Sequence, residues 1–355
     1  MASIKILQSG PLSTIQDRGR YGYMQFGMMP AGAMDEFSMN IANLLVGNDK
    51  SEAVIESAYI GPRIEFDGDE IIAVTGGETD VKLNGDPVPM WQSLEVKTGD
   101  VLQLSPVKAG LYTYIAFSRG LDVPLIMGSK STYMRGKLGG LEGRKLQAGD
   151  VIELGEVKKT DPALQLDPGA RPGFAKERTL RVVMGPQEDH FTEEGIETFL
   201  SREYTITQEA DRMGYRLDGE PIEHKTGPDV ISDGIAHGTI QVPGNGLPIV
   251  LLSDRGTTGG YTKIATMIAQ DICTLVQMSP GATIRFEAIS AAQANQLYRD
   301  FFGNLSSLLI AVESEVTPGP AVARPEQSSY TVMDGFKEYQ VQLEGREYLV
   351  RVKKL

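Results

Sequence analysis

The sequence predicts a mainly β chain with a few helices, built from barrels or sandwiches rather than a parallel α/β sheet. Three observations point there. Glycine supplies 40 of the 355 residues while aromatics are sparse, which favours strands and turns over long helices. Short apolar-alternating runs crowd residues 53–154. Two stretches echo each other, Thr98-Gly99-Asp100-Val101-Leu102-Gln103-Leu104 and Ala148-Gly149-Asp150-Val151-Ile152-Glu153-Leu154. Each is a Gly-Asp turn feeding a strand. The length suits two domains of ordinary size, and an apolar fraction of 41% can fill their cores.

Ile4 to Leu7 reads as a strand, turned by Gly10-Pro11 into a polar piece with Asp17, Arg18 and Arg20 close together. Those three either position an anionic substrate or satisfy one another in an Asp–Arg turn. Met34, Phe37, Ile41, Leu44 and Leu45 form one helical stripe, with Asp35 in the first turn and Gly47 as the C′ residue. Strands follow at 71–74 and 81–83, the latter meeting the hairpin signal Asn84-Gly85. Another strand spans 112–117. A polar, glycine-rich loop covers 128–144.

Residues 156–176 lack periodicity and read as a linker between halves. In the second half, strands are expected at 180–184 and 204–207. Thr192 caps a short helix through Leu200, and Ser290 caps another through about Phe302. The two halves share a layout of many strands with one or two helices each, as a duplicated barrel-like unit would. Residues 316–329 are rich in Pro, Ser and Ala and read as a second linker, ahead of a small hairpin at 330–352. The expected domains are therefore 1–160, 177–305 and an extension, 316–355.

The stretch Asp254-Arg255-Gly256-Thr257-Thr258-Gly259-Gly260-Tyr261-Thr262-Lys263 organises the functional reading. It follows the apolar run 247–252, which reads as a buried strand. It precedes Ile264, Ile268 and Ile272, which have helical spacing. A strand feeding a Gly-rich turn that opens a helix would offer backbone N–H groups at the positive end of the helix dipole. Such a turn suits a carboxylate, phosphate or carbamate. Thr257 and Thr258 add hydroxyls, Gly259 and Gly260 permit close approach, and Lys263 would lie one turn into the helix. The alternative is a tight strand–helix connection with Thr258 as its N-cap. Arg212, in Asp211-Arg212-Met213-Gly214, can grip a carboxylate by two parallel bonds, or it can pair with Asp211 or Asp254 and tie loops together.

A formal net charge of -13 argues against nucleic acid and against an anionic membrane surface. No apolar run approaches the roughly 18 residues of a membrane span, and the first residues lack a signal-peptide core, so a cytoplasmic location is expected. Cys273 is the only cysteine, and its flanks suggest a buried small apolar residue. His190, His224 and His237 share no metal-ligand spacing, and no metal is expected. There is no Gly-x-x-x-x-Gly-Lys-Ser/Thr loop, no Gly-x-Ser-x-Gly elbow and no dinucleotide fingerprint.

Several segments together carry a resemblance. They are Ser13-Thr14-Ile15-Gln16-Asp17-Arg18-Gly19-Arg20, Pro30-Ala31-Gly32-Ala33-Met34-Asp35, Leu45-Val46-Gly47-Asn48, Gly128-Ser129-Lys130-Ser131-Thr132, Gly185-Pro186-Gln187, Asp211-Arg212-Met213-Gly214, Gly238-Thr239-Ile240-Gln241-Val242-Pro243 and Thr257-Thr258-Gly259-Gly260-Tyr261. In this order they resemble the allophanate hydrolase subunit 2 family, also called the KipA or biotin-dependent carboxyltransferase family, from about residue 4 to 300. The resemblance implies two tandem cyclophilin-like β-barrels and a KipI-like partner subunit. It implies one of three roles. The first is the C subunit of an ATP-dependent 5-oxoprolinase, converting 5-oxoproline to glutamate beside a LamB-like subunit. The second is the carboxyltransferase module of a urea carboxylase-like enzyme, with biotin on another chain. The third is a non-catalytic antagonist of a KipI-like kinase inhibitor.

The first role is the expectation adopted, with ATP on a partner or at an interface and a small carboxylate or amide as substrate. Arg212, Asp254 and Lys263 are then the candidate catalytic residues. Asp17, Arg20, Gln241, Thr257, Thr258, Gly259, Gly260 and Tyr261 are the candidate substrate-binding residues. One departure is visible: Gly256 stands where the family commonly has Gln, so an amide donor is absent there. The tail at 330–352 resembles the lead-in strands of biotin carriers, but no Met-Lys-Met follows, so this chain is not expected to carry biotin.

Overall fold

The computed structural model describes residues 2–156 and 163–312, together with the strands of the C-terminal extension. Residues 1–312 form one compact unit, and 313–355 form another.

The first half of the large unit contains β1 (Ser3–Gln8), β2 (Leu12–Gln16), β3 (Val54–Ala58), β4 (Arg63–Asp67), β5 (Glu70–Glu78), β6 (Val81–Leu83), β7 (Asp86–Val88), β8 (Ser93–Val96), β9 (Val101–Leu104), β10 (Ala109–Phe117) and β11 (Val151–Glu153). They make a six-stranded sheet, β11-β1-β4-β9-β6-β7, and a five-stranded sheet, β2-β3-β10-β5-β8. Ile4, Ile6, Ile64, Phe66 and Leu102 of the first sheet and Ile15, Ile55, Ile72 and Ile115 of the second fill the space between them. Local chemistry sets the turns. Asn84 (φ 53) and Gly85 (φ 96) take the two left-handed positions of the β6–β7 hairpin. The echoed Gly-Asp turns fold alike: the Asp100 and Asp150 carboxylates accept from the Lys97 and Gln147 N–H, three residues back. The helix α1 (Glu36–Leu45) starts at Asp35, whose side chain accepts from the Ser38 N–H as an N-cap. It ends against Gly47 (φ 75).

Next comes β12 (Leu164–Leu166). The expected linker 156–176 is thus only partly one. β12 pairs with β21 (Leu309–Ala311) and buries Leu166 in the core. Residues 157–162 lie outside the described residues.

The second half contains β13 (Glu177–Met184), β14 (Tyr204–Ala210), β15 (Gly214–Gly219), β16 (Asp229–Gly234), β17 (Thr239–Val242), β18 (Ile249–Leu251), β19 (Thr258–Met267) and β20 (Thr283–Ala288). The order β13-β20-β14-β15-β18-β17-β19 returns to β13 through the pairs Val182–Met267 and Met184–Ala265, so the ring is closed. β16 adds to the outside of β19. Three helices serve this half. α2 (Glu193–Ser201) is capped by Thr192, and α4 (Ala291–Phe302) opens on a full capping box of Ser290 and Gln293. Between them lies α3 (Ala269–Val276), which buries Cys273. The fold is two tandem β units, as the sequence predicted.

One expectation is overturned. Residues 258–263 open no helix: they are the start of β19, a ten-residue strand, and α3 begins only at Ala269. Ile264 lies in the strand, Ile268 is the residue before α3, and Ile272 is inside α3, so their helical spacing is accidental. Thr262, Lys263, Ile264 and Ala265 are all buried, so both faces of β19 are covered there, which erases the two-residue alternation that would have marked the strand. Thr258 therefore caps no helix, and the N-cap of α3 is Ile268.

In the extension, β22 (Val332–Met333), β23 (Phe336–Leu343) and β24 (Arg346–Lys353) form an antiparallel sheet. The linker expected at 316–329 lies outside the described residues. Among the described residues, no helix is long and apolar enough to cross a membrane.

Candidate functional site

The two halves meet at a seam stitched by buried polar groups. Arg212, from the β14–β15 turn, donates from Nε (3.1 Å) and Nη2 (3.0 Å) to both carboxylate oxygens of Asp254. Its Nη1 donates to Glu56 on β3, and Nη2 also donates to the Gly32 carbonyl at 2.6 Å. Glu56 accepts in turn from the Met34 N–H and the Tyr114 hydroxyl. Burial pulls the Arg212 pKa down, but Asp254 and Glu56 together lift it above its ordinary value. Nearby, the Gln277 amide donates to Asp35 and to the Tyr112 carbonyl, and its oxygen accepts from the N–H groups of Leu111 and Tyr112. Sequence separation hid Glu56, which lies far upstream of Arg212.

Arg212 is therefore placed as a clasp between halves. Its partners are Asp254, Glu56 and the Gly32 carbonyl, and its side chain is buried. Asp17 and Arg20 do not satisfy one another as an Asp–Arg turn would, because among the described residues no ion pair joins them. Asp17 accepts from the Ser129 and Ser131 hydroxyls and from the Gly19 and Lys130 N–H groups, pinning the 128–144 loop to β2. Arg20 is fully buried and donates to the Ile126 and Ser131 carbonyls.

Beside the clasp is a small cleft of about 20 Å3, lined by Asp17, Arg18, Tyr21, Glu36, His237, Ser253 and Arg255 among others. Arg255 decides its character. It is only 3% exposed, and its Nε and Nη1 donate to the carbonyls of Ile235 (3.4 Å) and Leu252 (3.2 Å). Among the described residues, no carboxylate lies within ion-pair distance of it. Burial lowers its pKa with only Tyr21 opposing. His237 shares the cleft, and its Nε2 has no protein hydrogen-bond partner. Burial and the charges of Arg255 and Arg212 push its pKa down to about 3, so the imidazole is neutral. An unpaired buried cation next to a neutral imidazole attracts a small anion.

A second polar group lies on β19. Lys263 is buried, its Nζ has no hydrogen-bond partner among the described residues, and it faces the Asp233 carboxylate on β16 at 3.4 Å. The Gln187 side chain accepts from the Lys263 N–H, and Gln241 donates to the Tyr261 carbonyl at 3.4 Å. A Cβ on Gly259 would stand 2.6 Å from Gln241 Nε2 and 2.7 Å from the Ile235 side chain. Three of the segments that carry the resemblance, 185–187, 238–243 and 257–261, thus converge around Lys263. Ile235 joins this group to the cleft, its carbonyl on Arg255 and its side chain near Gly259. Thr257 offers its carbonyl to the Ile235 N–H, Thr258 pairs with Gly234, and Gly260 approaches the Val230 carbonyl and Ser232. Tyr261 is exposed. Arg255, His237, Gln187 and Asp233 were not legible as a site, because nothing local marks an arginine whose carboxylate partner is missing.

Known proteins share this architecture. Residues 26–288 match the family model of the carboxyltransferase domain, subdomain A and B. The chain belongs to this family. It is 36% identical over 301 residues to the C subunit of the 5-oxoprolinase of Escherichia coli, covering 83% of this chain and 96% of that one. The corresponding protein of Haemophilus influenzae is 35% identical over 296 residues, covering 83% and 94%. Among solved structures, the Kluyveromyces lactis urea amidolyase superposes with a TM-score of 0.82 at 27% identity over 96% of this chain. The chain spans only 22% of that much longer protein.

Proposed function

We propose that this chain is a subunit of an ATP-dependent 5-oxoprolinase-type hydrolase, opening 5-oxoproline to glutamate with KipI-like and LamB-like partner subunits. The observation that carries the reading is Arg255, a desolvated guanidinium with no ion-pair partner among the described residues, on the wall of a cleft with room for about one water-sized group. The substrate's carboxylate supplies the missing charge. The family's 5-oxoprolinase subunits, matched along nearly their whole length, support the choice of acid. Lys263, with a buried amine and no hydrogen-bond partner, is the second donor, suited to an oxygen that gains charge as the lactam opens. His237, neutral beside Arg255, can accept a hydrogen bond without adding charge.

ATP is assigned to a partner or to an interface, since the sequence holds no nucleotide-binding fingerprint. The test is reconstitution. The chain with its partner subunits should hydrolyse ATP only when 5-oxoproline is present, and the isolated chain should not. Turnover by the isolated chain, or a complete complex indifferent to 5-oxoproline, would refute the proposal.

One observation favours a second reading, a carboxyltransferase taking carboxyl from biotin on another chain. Sequence matches to the oxoprolinase subunits and to the urea amidolyases of Lachancea kluyveri and Saccharomyces cerevisiae alike cover 83% of the chain, whereas a putative urea carboxylase of Emericella nidulans matches 99% of it at 29% identity and so reaches past residue 312. Biotin-dependent carboxyl transfer to urea by the chain plus a biotinylated carrier would establish it.

A further inference from the structure

A cavity of about 610 Å3 lies apart from the cleft and shares no lining residue with it. Its walls come from the start of α1, residues 170–181, α3 and α4. The size falls within the range of small-molecule sites, roughly 300–1,000 Å3. Phe37 and Phe301, with ring centroids 5.1 Å apart, and Phe174 make the apolar part. The pair Arg181–Asp271 and the amide of Gln277 also line it, but they are saturated by one another or by the seam. Two polar atoms are not. The Gln270 side-chain oxygen is buried without a hydrogen-bond partner, and so is Arg178 Nε. Arg178 spends Nη2 on the Gly173 carbonyl and has no ion pair among the described residues. Leaving such groups unmet costs stability, and native structures keep few of them.

We propose that this cavity binds a small, flat, largely apolar molecule carrying an N–H or O–H donor and an anionic group. The aromatic walls take the flat body, Gln270 accepts from the donor, and Arg178 meets the charge. The site is separate from the one assigned to the reaction above and does not rest on that assignment.

The probe is 8-anilinonaphthalene-1-sulfonate, which combines aromatic rings, an N–H and an anion, and fluoresces when desolvated. Added to the full folded chain, it should bind saturably with a stoichiometry of one. Arg178→Met should weaken binding about tenfold or more, the worth of one charge-assisted hydrogen bond. Gln270→Leu, near in shape, should weaken it several-fold, and Leu297→Trp, which fills the cavity from α4, should abolish it. Arg255→Ala should leave it unchanged. Melting curves of each variant confirm that the dye reports a folded protein. Non-saturable binding, or binding undiminished in both Arg178→Met and Leu297→Trp, would overturn the proposal. Binding lost in Arg255→Ala but kept in Arg178→Met would do the same, by moving the dye to the cleft.

Discussion

Arg212 and Arg255 sit on neighbouring loops, joined by the bond from the Asp254 N–H to the Arg212 carbonyl, and both are buried. Arg212 meets two carboxylates and a carbonyl, so its charge is answered inside the chain. Arg255 meets carbonyls only. The same residue type at the same depth thus does two jobs, and saturation tells them apart. Arg212, with its counter-ions in place, holds structure together, while Arg255, without them and on the wall of the cleft, is the one open to a ligand.

The sharpest way to break this comparison is Arg212→Met. It strands Glu56 and Asp254 in the seam, and the cost should be about 3–5 kcal/mol. Urea unfolding would measure it. An unchanged midpoint with lost ligand binding would reverse the roles given to the two arginines. Arg255→Ala should act the other way. Melting should hold steady or rise, because a desolvated charge is removed, while affinity for 5-oxoproline falls by about 1.5–3 kcal/mol, measured by calorimetry on the assembled complex. Gly259→Ala probes the Lys263 end. Its methyl would push the tips of Gln241 and Ile235 aside, a strain of about 1 kcal/mol, and should lower turnover without unfolding the barrel. Wild-type turnover in that variant would remove the Lys263 group from the site.

The last effect concerns protons. His237 has a folded pKa near 3, below its unfolded value, so the unfolded chain binds its proton first. Its contribution to stability is present above about pH 6.5 and is lost as pH falls from there towards 3. Buried Asp35 and Glu56 have raised pKa values and push the opposite way over the acid range, so only a difference isolates the histidine. The stability gap between wild type and His237→Asn should shrink as the buffer is acidified from pH 7 to 4.5. A constant gap would show that His237 stays exposed to water.

Much of the fold was legible because its signals are local. Thr192 and Ser290 cap where their hydroxyls reach the backbone three residues on. Asn84-Gly85 turns because those two residues tolerate positive φ. The β19 strand carries no such local signal, because its middle is buried on both faces and the alternation is lost. The site was legible only in part. Asp254 and Lys263 stand in the stretch the sequence singled out, and Gln241 joins them through strand pairing with Lys263. That Arg212 is clasped from both halves rests on Glu56, and no spacing rule links residue 56 to residue 212.

The closed ring of the second half has a kinetic consequence. Its β13–β19 seam joins Val182 to Met267, far apart in the chain, so a long loop must close before those bonds can form. Chain-closure entropy is met late and recovered only at the end. Amides along the β13–β19 seam should therefore exchange with solvent only through the global opening of that half, sharing one slow rate in deuterium labelling. The outer edge of β16, which closes nothing, should label far sooner.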